Sequence, residues 1–268
     1  MNIAILGAGW LGSVLAVKYI ENNHNVVIST TSTEKQSLFL KNGLKAMLIE
    51  VTKEKIIGDY SFFNGIDLII ITIPPMFRTN RNIKYKEMME RVIEKIVSFG
   101  IKKVIYTSST SVYGFQKNTI TEKSKTDPLT DSAKEILMCE KKLLENSSFE
   151  SCIIRLGGLI GPNRHPIYYI SGKKNLPDPK SPINLIHQKD AVSIILYLSE
   201  KWNGNEIFNA VTSYHPTRKD YYSSISKIAK LAPPKFEKKG KIRGEISSSK
   251  LLKLTHYQFK VENLLILN

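Results

Sequence analysis

NIAILGAGWLG, residues 2–12, places an unbroken apolar run directly before three glycines spaced G-x-G-x-x-G. A short run of that texture reads as a strand buried on both faces. "GWLGSVLAVKYIENN" then carries apolar residues at helical spacing, and "NVVIS" returns to a strand. A glycine triplet between a strand and a helix is the setting in which the motif has physical meaning. Gly7 permits the tight turn, Gly9 lets the backbone approach a pyrophosphate, and Gly12 lets the helix pack closely on the strand. The helix N-terminus then faces the phosphates, with Trp10 and Leu11 on the same turn. The stretch predicts a dinucleotide-binding β-α-β unit.

The alternation continues outward. "EKQSLFLKNG" reads as a short helix ended by Gly43, "KAMLIE" as a strand, and "DLIIITIP" as a continuous apolar strand stopped by Pro74–Pro75. "NIKYKEMMERVIEKIVSFG" reads as a long helix closed by Gly100, and "KKVIYTSS" as the next strand. A helix from about Asp131 to Glu145 and the strand "SCIIRL" complete the series. Strands this apolar need helices on both faces, so the expected fold is a Rossmann-type doubly wound parallel α/β sheet. After Arg155 the texture turns Gly- and Pro-rich. We expect a cofactor-binding core over 1–155 and a smaller substrate-pocket subdomain over 156–268, interleaved with the core.

The second strand runs into "STTSTEK", with no carboxylate before Glu34 to hold a ribose 2′-hydroxyl. Ser29, Thr30, Thr31 and Ser32 supply hydroxyls, and Lys35 a charge, for a 2′-phosphate. NADP(H) is therefore favoured, with NAD(H) left open; a polar turn capping the next helix fits the same residues. Pro74–Met76 follows the fourth strand and is expected to pack near the cofactor.

The chain has 39 basic and 24 acidic residues, a formal net charge of +15. Lysine dominates over arginine, and the basic peak "KFEKKGKIRGE" has no aromatic residues alternating with its charges, so a solvated basic loop is expected in place of a nucleic-acid surface. The two cysteines, Cys139 and Cys152, have no metal-ligand spacing and suit a reducing compartment. A cytoplasmic location follows, with no metal and no membrane association.

"GAGWLG", "YTSSTSVYG", "IIRLGGLIGP" and "INLIHQKDAV", in this order, resemble the extended short-chain dehydrogenase/reductase superfamily of the NAD(P)-dependent epimerase/dehydratase type. Within it the chain is similar to the atypical YeeZ-like subgroup. The resemblance implies that Ser109 orients the substrate, that Thr107 and Ser108 lie nearer the cofactor, and that Tyr113 walls the substrate pocket. It also implies a Tyr-x-x-x-Lys pair, in which the lysine lowers the pKa of a phenol that otherwise titrates near ~10. "PLTDSAKEILMCE", residues 128–140, puts Ser132 and Ile136 at those two places. Lys134 lies about 200° around an ideal helix from the lysine position. The pair is absent in either register of the motif.

"GPNRHP" offers a substitute: Arg164 to hold an anionic group and His165 as acid/base. A Pro-rich surface turn fits the same residues. Tyr168 and Tyr169 are expected along the cavity or as cover, Asp190 as a helix cap, and His187 at a strand end. His24, His215 and His256 form no constellation. Two functions follow. One is an NADP(H)-dependent oxidoreductase or epimerase-like enzyme on a small polar or sugar-derived substrate, with Ser109 and His165 catalytic. The other is a non-catalytic NADP(H)-binding sensor or scaffold acting through a protein partner. The superfamily's helix pairing also admits a homodimer.

Overall fold

The computed structural model describes residues 1–75 and 84–267. The opening reading holds: β1 (Asn2–Leu6), α1 (Gly12–Glu21) and β2 (Asn25–Thr30) are followed by α2 (Thr33–Lys41) and β3 (Lys45–Val51). A short β4 (Ile56–Gly58) then pairs antiparallel with β3. β5 (Leu68–Ile71), α3 (Tyr85–Ser98), β6 (Lys103–Ser109), α4 (Asp131–Glu145) and β7 (Glu150–Leu156) continue the alternation. The remainder carries β8 (Gly158–Ile160), α5 (Ile167–Ile170), β9 (Leu185–His187), α6 (Gln188–Lys201), β10 (Glu206–Ala210), α7 (Arg218–Ile228) and α8 (Ser249–Thr255).

The main sheet has the order β10-β7-β6-β5-β1-β2-β3-β4, with β8 and β9 in a separate parallel pair. β1 pairs in parallel with both β2 and β5, so the chain runs outward through β2 and β3 and then crosses back. That reversal is the topological switch point at which a doubly wound sheet opens a crevice. The central strands are apolar along their length because both faces are covered: Ile3, Ala4, Ile5 and Leu68–Ile71 are fully buried. The fold is the expected Rossmann-type α/β sheet.

The chain forms two compact units. The first comprises Met1–Ser108, Thr130–Ile154 and Ile195–Ile207; the second comprises Ser109–Leu129, Arg155–Ile194 and Phe208–Asn268. The break near residue 155 is thus accompanied by two exchanges, Ser109–Leu129 and Ile195–Ile207. The second unit has its own core, with Ile160, Ile167, Leu185, Tyr221, Ile225 and Leu264 buried together.

α4 is capped by Thr130, whose hydroxyl accepts the Ala133 amide at 3.2 Å. One cap differs from expectation. Asp190 lies inside the first turn of α6. Its buried carboxylate accepts the Tyr257 hydroxyl at 2.7 Å and the Lys260 and Val261 amides at 2.7 and 3.2 Å, pinning the C-terminal segment instead of capping a helix.

Candidate functional site

The glycine loop follows β1 in the first unit. Gly7 has φ +109°, a conformation that L side chains rarely adopt, and its carbonyl accepts the Gly9 amide at 2.8 Å. A Cβ on Gly12 would lie 2.2 Å from the Gly7 carbonyl oxygen, so α1 sits on the loop as closely as backbone allows. A Cβ on Gly9 would meet no atom within 4 Å. α1 has neither a side-chain cap nor an acidic residue in its first turn. An open space over the middle glycine and an uncapped helix N-terminus suit a pyrophosphate, so these residues fit a dinucleotide. The loop also depends on Thr72, just after β5, whose hydroxyl donates to the Gly7 carbonyl at 2.6 Å.

The four hydroxyl residues after β2 divide. Ser29 was expected to meet a 2′-phosphate, yet it is 2% exposed and accepts the Gly7 amide at 2.8 Å. It is a support of the glycine loop. Thr30 is also buried and accepts the Ser32 amide at 3.2 Å, while the Ser32 hydroxyl caps α2 through the Lys35 amide at 3.2 Å. Thr31 and Lys35 are exposed. Pro74 is exposed after β5, and Met76 lies outside the described residues.

At the end of β6 the expected cofactor-side hydroxyls are committed inward. Thr107 donates to the Ile71 carbonyl at 3.0 Å, and Ser108 donates to the buried carboxylate of Glu140 on α4. These bonds tie β6 to its neighbours, which accounts for the polar residues there without a ligand. α4 contains no tyrosine. Ile136 is buried, and Lys134 is exposed with its ammonium 3.4 Å from Asp131.

The second unit holds a cleft of about 440 Å³. Ser109, Tyr113, Arg218, Tyr222 and Arg243 are among its lining. The Ser109 oxygen accepts the Ser111 amide at 3.1 Å, which leaves its O–H to donate. The Tyr113 phenol donates to Asn209 Oδ1 at 2.7 Å and accepts from the Arg155 guanidinium at 2.9 Å. Burial pushes that phenol's pKa up, with Arg155 pulling against it. Held on both sides, Tyr113 is a wall. Arg218 stands at the start of α7. Arg243 is fixed by Ser181, whose oxygen accepts the Arg243 amide at 3.0 Å and donates to the Lys241 carbonyl at 2.9 Å. Among the described residues neither guanidinium pairs with a carboxylate.

The "NRHP" turn is placed differently from its expected role. Arg164 and Gly161 exchange backbone hydrogen bonds at 2.9 Å, and the Arg164 side chain is exposed and outside the cleft lining. His165 is 1% exposed. Its Nδ1 accepts the Ile167 amide at 3.0 Å, its Nε2 lies 2.9 Å from the Tyr221 hydroxyl, and that hydroxyl donates to the Leu264 carbonyl at 3.0 Å. The tyrosine has one proton, so Nε2 carries the ring's hydrogen and the imidazole is neutral. Burial lowers its pKa to about 4. Both ring nitrogens are engaged within the second unit, and His165 is not among the residues that line the cleft. Tyr168 and Tyr169 are 51% and 72% exposed and line no part of the cleft.

Three side chains escaped sequence reasoning: Thr72, Arg218 and Arg243. The last sits in the basic run that reads as a solvated loop. Among the described residues no three His, Cys, Asp or Glu side chains are placed to hold a metal, and no helix is long and apolar enough to cross a membrane.

Residues 3–210 match the model of the NAD dependent epimerase/dehydratase family. Protein YeeZ of Escherichia coli strain K12 is 29% identical over 248 residues, covering 90% of each chain. Two solved structures share the fold. MoeE5 in complex with UDP-glucose and NAD has a TM-score of 0.80 at 16% identity, covering 99% of this chain and 95% of its own. UDP-glucuronic acid 4-epimerase from Bacillus cereus, in complex with UDP-glucuronic acid and NAD, has a TM-score of 0.80 at 19% identity, covering 98% and 95%.

Proposed function

The chain belongs to the NAD dependent epimerase/dehydratase family, and on that premise we propose an NADP(H)-dependent oxidoreductase or epimerase-like enzyme acting on a small anionic, sugar-derived substrate. The observation that carries this reading is the cleft of the second unit, where Ser109 and two arginines without carboxylate partners among the described residues face one space. Arg218 and Arg243 bind the anionic group, the task the sequence assigned to Arg164. Ser109 donates its hydroxyl hydrogen to a substrate oxygen, and Tyr113 shapes the wall. His165 has no part in the chemistry.

Gly7, Gly9 and Gly12 hold the pyrophosphate of the cofactor, which when bound supplies or accepts hydride. Thr31, Ser32 and Lys35 favour a 2′-phosphate, since no carboxylate follows β2 before Glu34. MoeE5 and the B. cereus epimerase were solved with NAD, so the proposed preference for NADP(H) rests on this chain's own turn alone. Titrating NADPH and NADH against the intrinsic fluorescence of the protein tests it: NADPH binds more tightly, and equal or tighter NADH binding refutes the preference. The two arginines without carboxylate partners among the described residues also favour an enzyme with an anionic substrate over a binding-only scaffold.

A further inference from the structure

The Tyr-x-x-x-Lys pair is absent from α4, and the cleft offers another phenol beside another cation. Tyr222 and Arg218 both line the cleft, and they stand four residues apart on α7, a spacing that places two side chains on one helix face. Phe236 braces both: its ring is stacked on Tyr222 at 6.5 Å and 19°, and the Arg218 guanidinium carbon lies 5.9 Å from its centroid.

The adjacent tyrosines have different fates. Tyr221 points its hydroxyl at Leu264 and His165 in the core. Tyr222 is 7% exposed and its hydroxyl has no hydrogen-bond partner among the described residues. Among those residues the cleft lining includes no acid, histidine or lysine, and Tyr113 is committed to Arg155 and Asn209. Tyr222 is therefore the uncommitted acidic O–H of the cleft, apart from aliphatic hydroxyls that are far weaker acids.

We propose that Tyr222 is the general acid/base of this enzyme and that Arg218 is the cation that stabilises its phenolate. The inference rests on the enzymatic reading above. In the reducing direction the cofactor, when bound, would supply hydride to the substrate carbonyl carbon as the carbonyl π electrons move to oxygen. That oxygen takes the proton of Tyr222, leaving a phenolate beside Arg218 that water reprotonates. Oxidation runs the same transfers in reverse. Arg218 on its own helix is the charged group that acts on the phenol, the neutral Tyr221 ring lies 5.2 Å from the Tyr222 ring, and Arg243 lines the same cleft. Burial raises the phenol's pKa and the Arg218 charge opposes the rise.

The test joins turnover to phenol titration. NADPH consumption and product formation are followed for wild type, Tyr222→Phe and Arg218→Ala with a panel of sugar phosphates and sugar nucleotides. In parallel, the phenolate absorbance of wild type minus Tyr222→Phe is titrated, and again in the Arg218→Ala background. We expect Tyr222→Phe to lose on the order of 10²-fold or more in kcat, with cofactor binding retained and the basic limb of the pH profile abolished. We expect Arg218→Ala to shift the Tyr222 titration to higher pH. A structural role alone would move neither the limb nor the titration. Tyr222→Phe as active as wild type, or a titration indifferent to Arg218, overturns this inference and leaves the proposed function standing. A wild type that binds NADPH yet converts no compound overturns both.

Discussion

The imidazole of His165 and the phenol of Tyr221 meet at 2.9 Å, Nε2 to Oη, and the phenol donates its own hydrogen bond to the Leu264 carbonyl. The pair ties the "NRHP" turn, α7 and the C-terminal segment into the core of the second unit. Its energetic signature is a pH dependence of folding. Burial lowers the His165 pKa from 6.5 to about 4, so between those values the unfolded chain binds more protons than the folded one. The histidine's contribution is complete above about pH 6.5 and is lost as pH falls toward 4, with a slope of at most about 1.4 kcal/mol per pH unit. Urea unfolding at pH 7.5 and pH 5 is expected to show a larger acid loss in wild type than in His165→Phe. Equal losses would refute the buried neutral histidine.

The glycine loop predicts opposite outcomes for two neighbouring substitutions. Gly9→Ala adds a methyl to open space, so stability stays within about 0.5 kcal/mol of wild type while dinucleotide affinity falls sharply. Gly12→Ala drives a methyl against the Gly7 carbonyl oxygen and costs more than ~2 kcal/mol. Thermal melts with NADPH titrations separate the two; unchanged NADPH affinity in Gly9→Ala would remove the pyrophosphate from this loop.

Anion recognition is assigned to Arg243 and withheld from Arg164. Calorimetric titration with inorganic pyrophosphate is expected to weaken about tenfold or more in Arg243→Ala, the loss of a charge-assisted contact. Arg164→Ala is expected to stay within about twofold. The reverse ranking would return the anion to the "NRHP" turn.

Ser108 donates to a carboxylate that folding has removed from water, that of Glu140. Ser108→Ala deprives that carboxylate of a donor and is expected to cost about 1–3 kcal/mol in urea unfolding. No measurable cost would mean that the β6–α4 bond is dispensable, and a fall in cofactor affinity in the same variant would return Ser108 to the cofactor.

What was legible in the sequence is what is written locally. Ile3 to Leu6 and Leu68 to Ile71 are apolar at every position because parallel strands bury both faces, and a glycine triplet between strand and helix marks a tight turn with close helix packing. The cleft was not legible, because Ser109, Arg218 and Arg243 lie far apart in the chain and Ser181 fixes Arg243 in a segment that reads as solvated. Arg164 and His165 misled by adjacency: one backbone turn sends the first outward and the second into the core. Ser29 misled by type, since a hydroxyl that serves a phosphate and one that serves a backbone amide look alike in sequence. Thr72 is a single residue after a strand and carries no pattern.

The enzymatic reading meets its most direct test in one assay: wild type and Ser109→Ala, each loaded in turn with NADPH and NADP+, offered sugar phosphates and sugar nucleotides. Nicotinamide absorbance and product stereochemistry are both recorded, because an epimerisation returns its hydride. The account predicts substrate-dependent conversion in wild type and its loss in Ser109→Ala with cofactor binding intact. Tight cofactor binding with every compound returned unchanged would contradict it and leave a protein that binds the dinucleotide without using it.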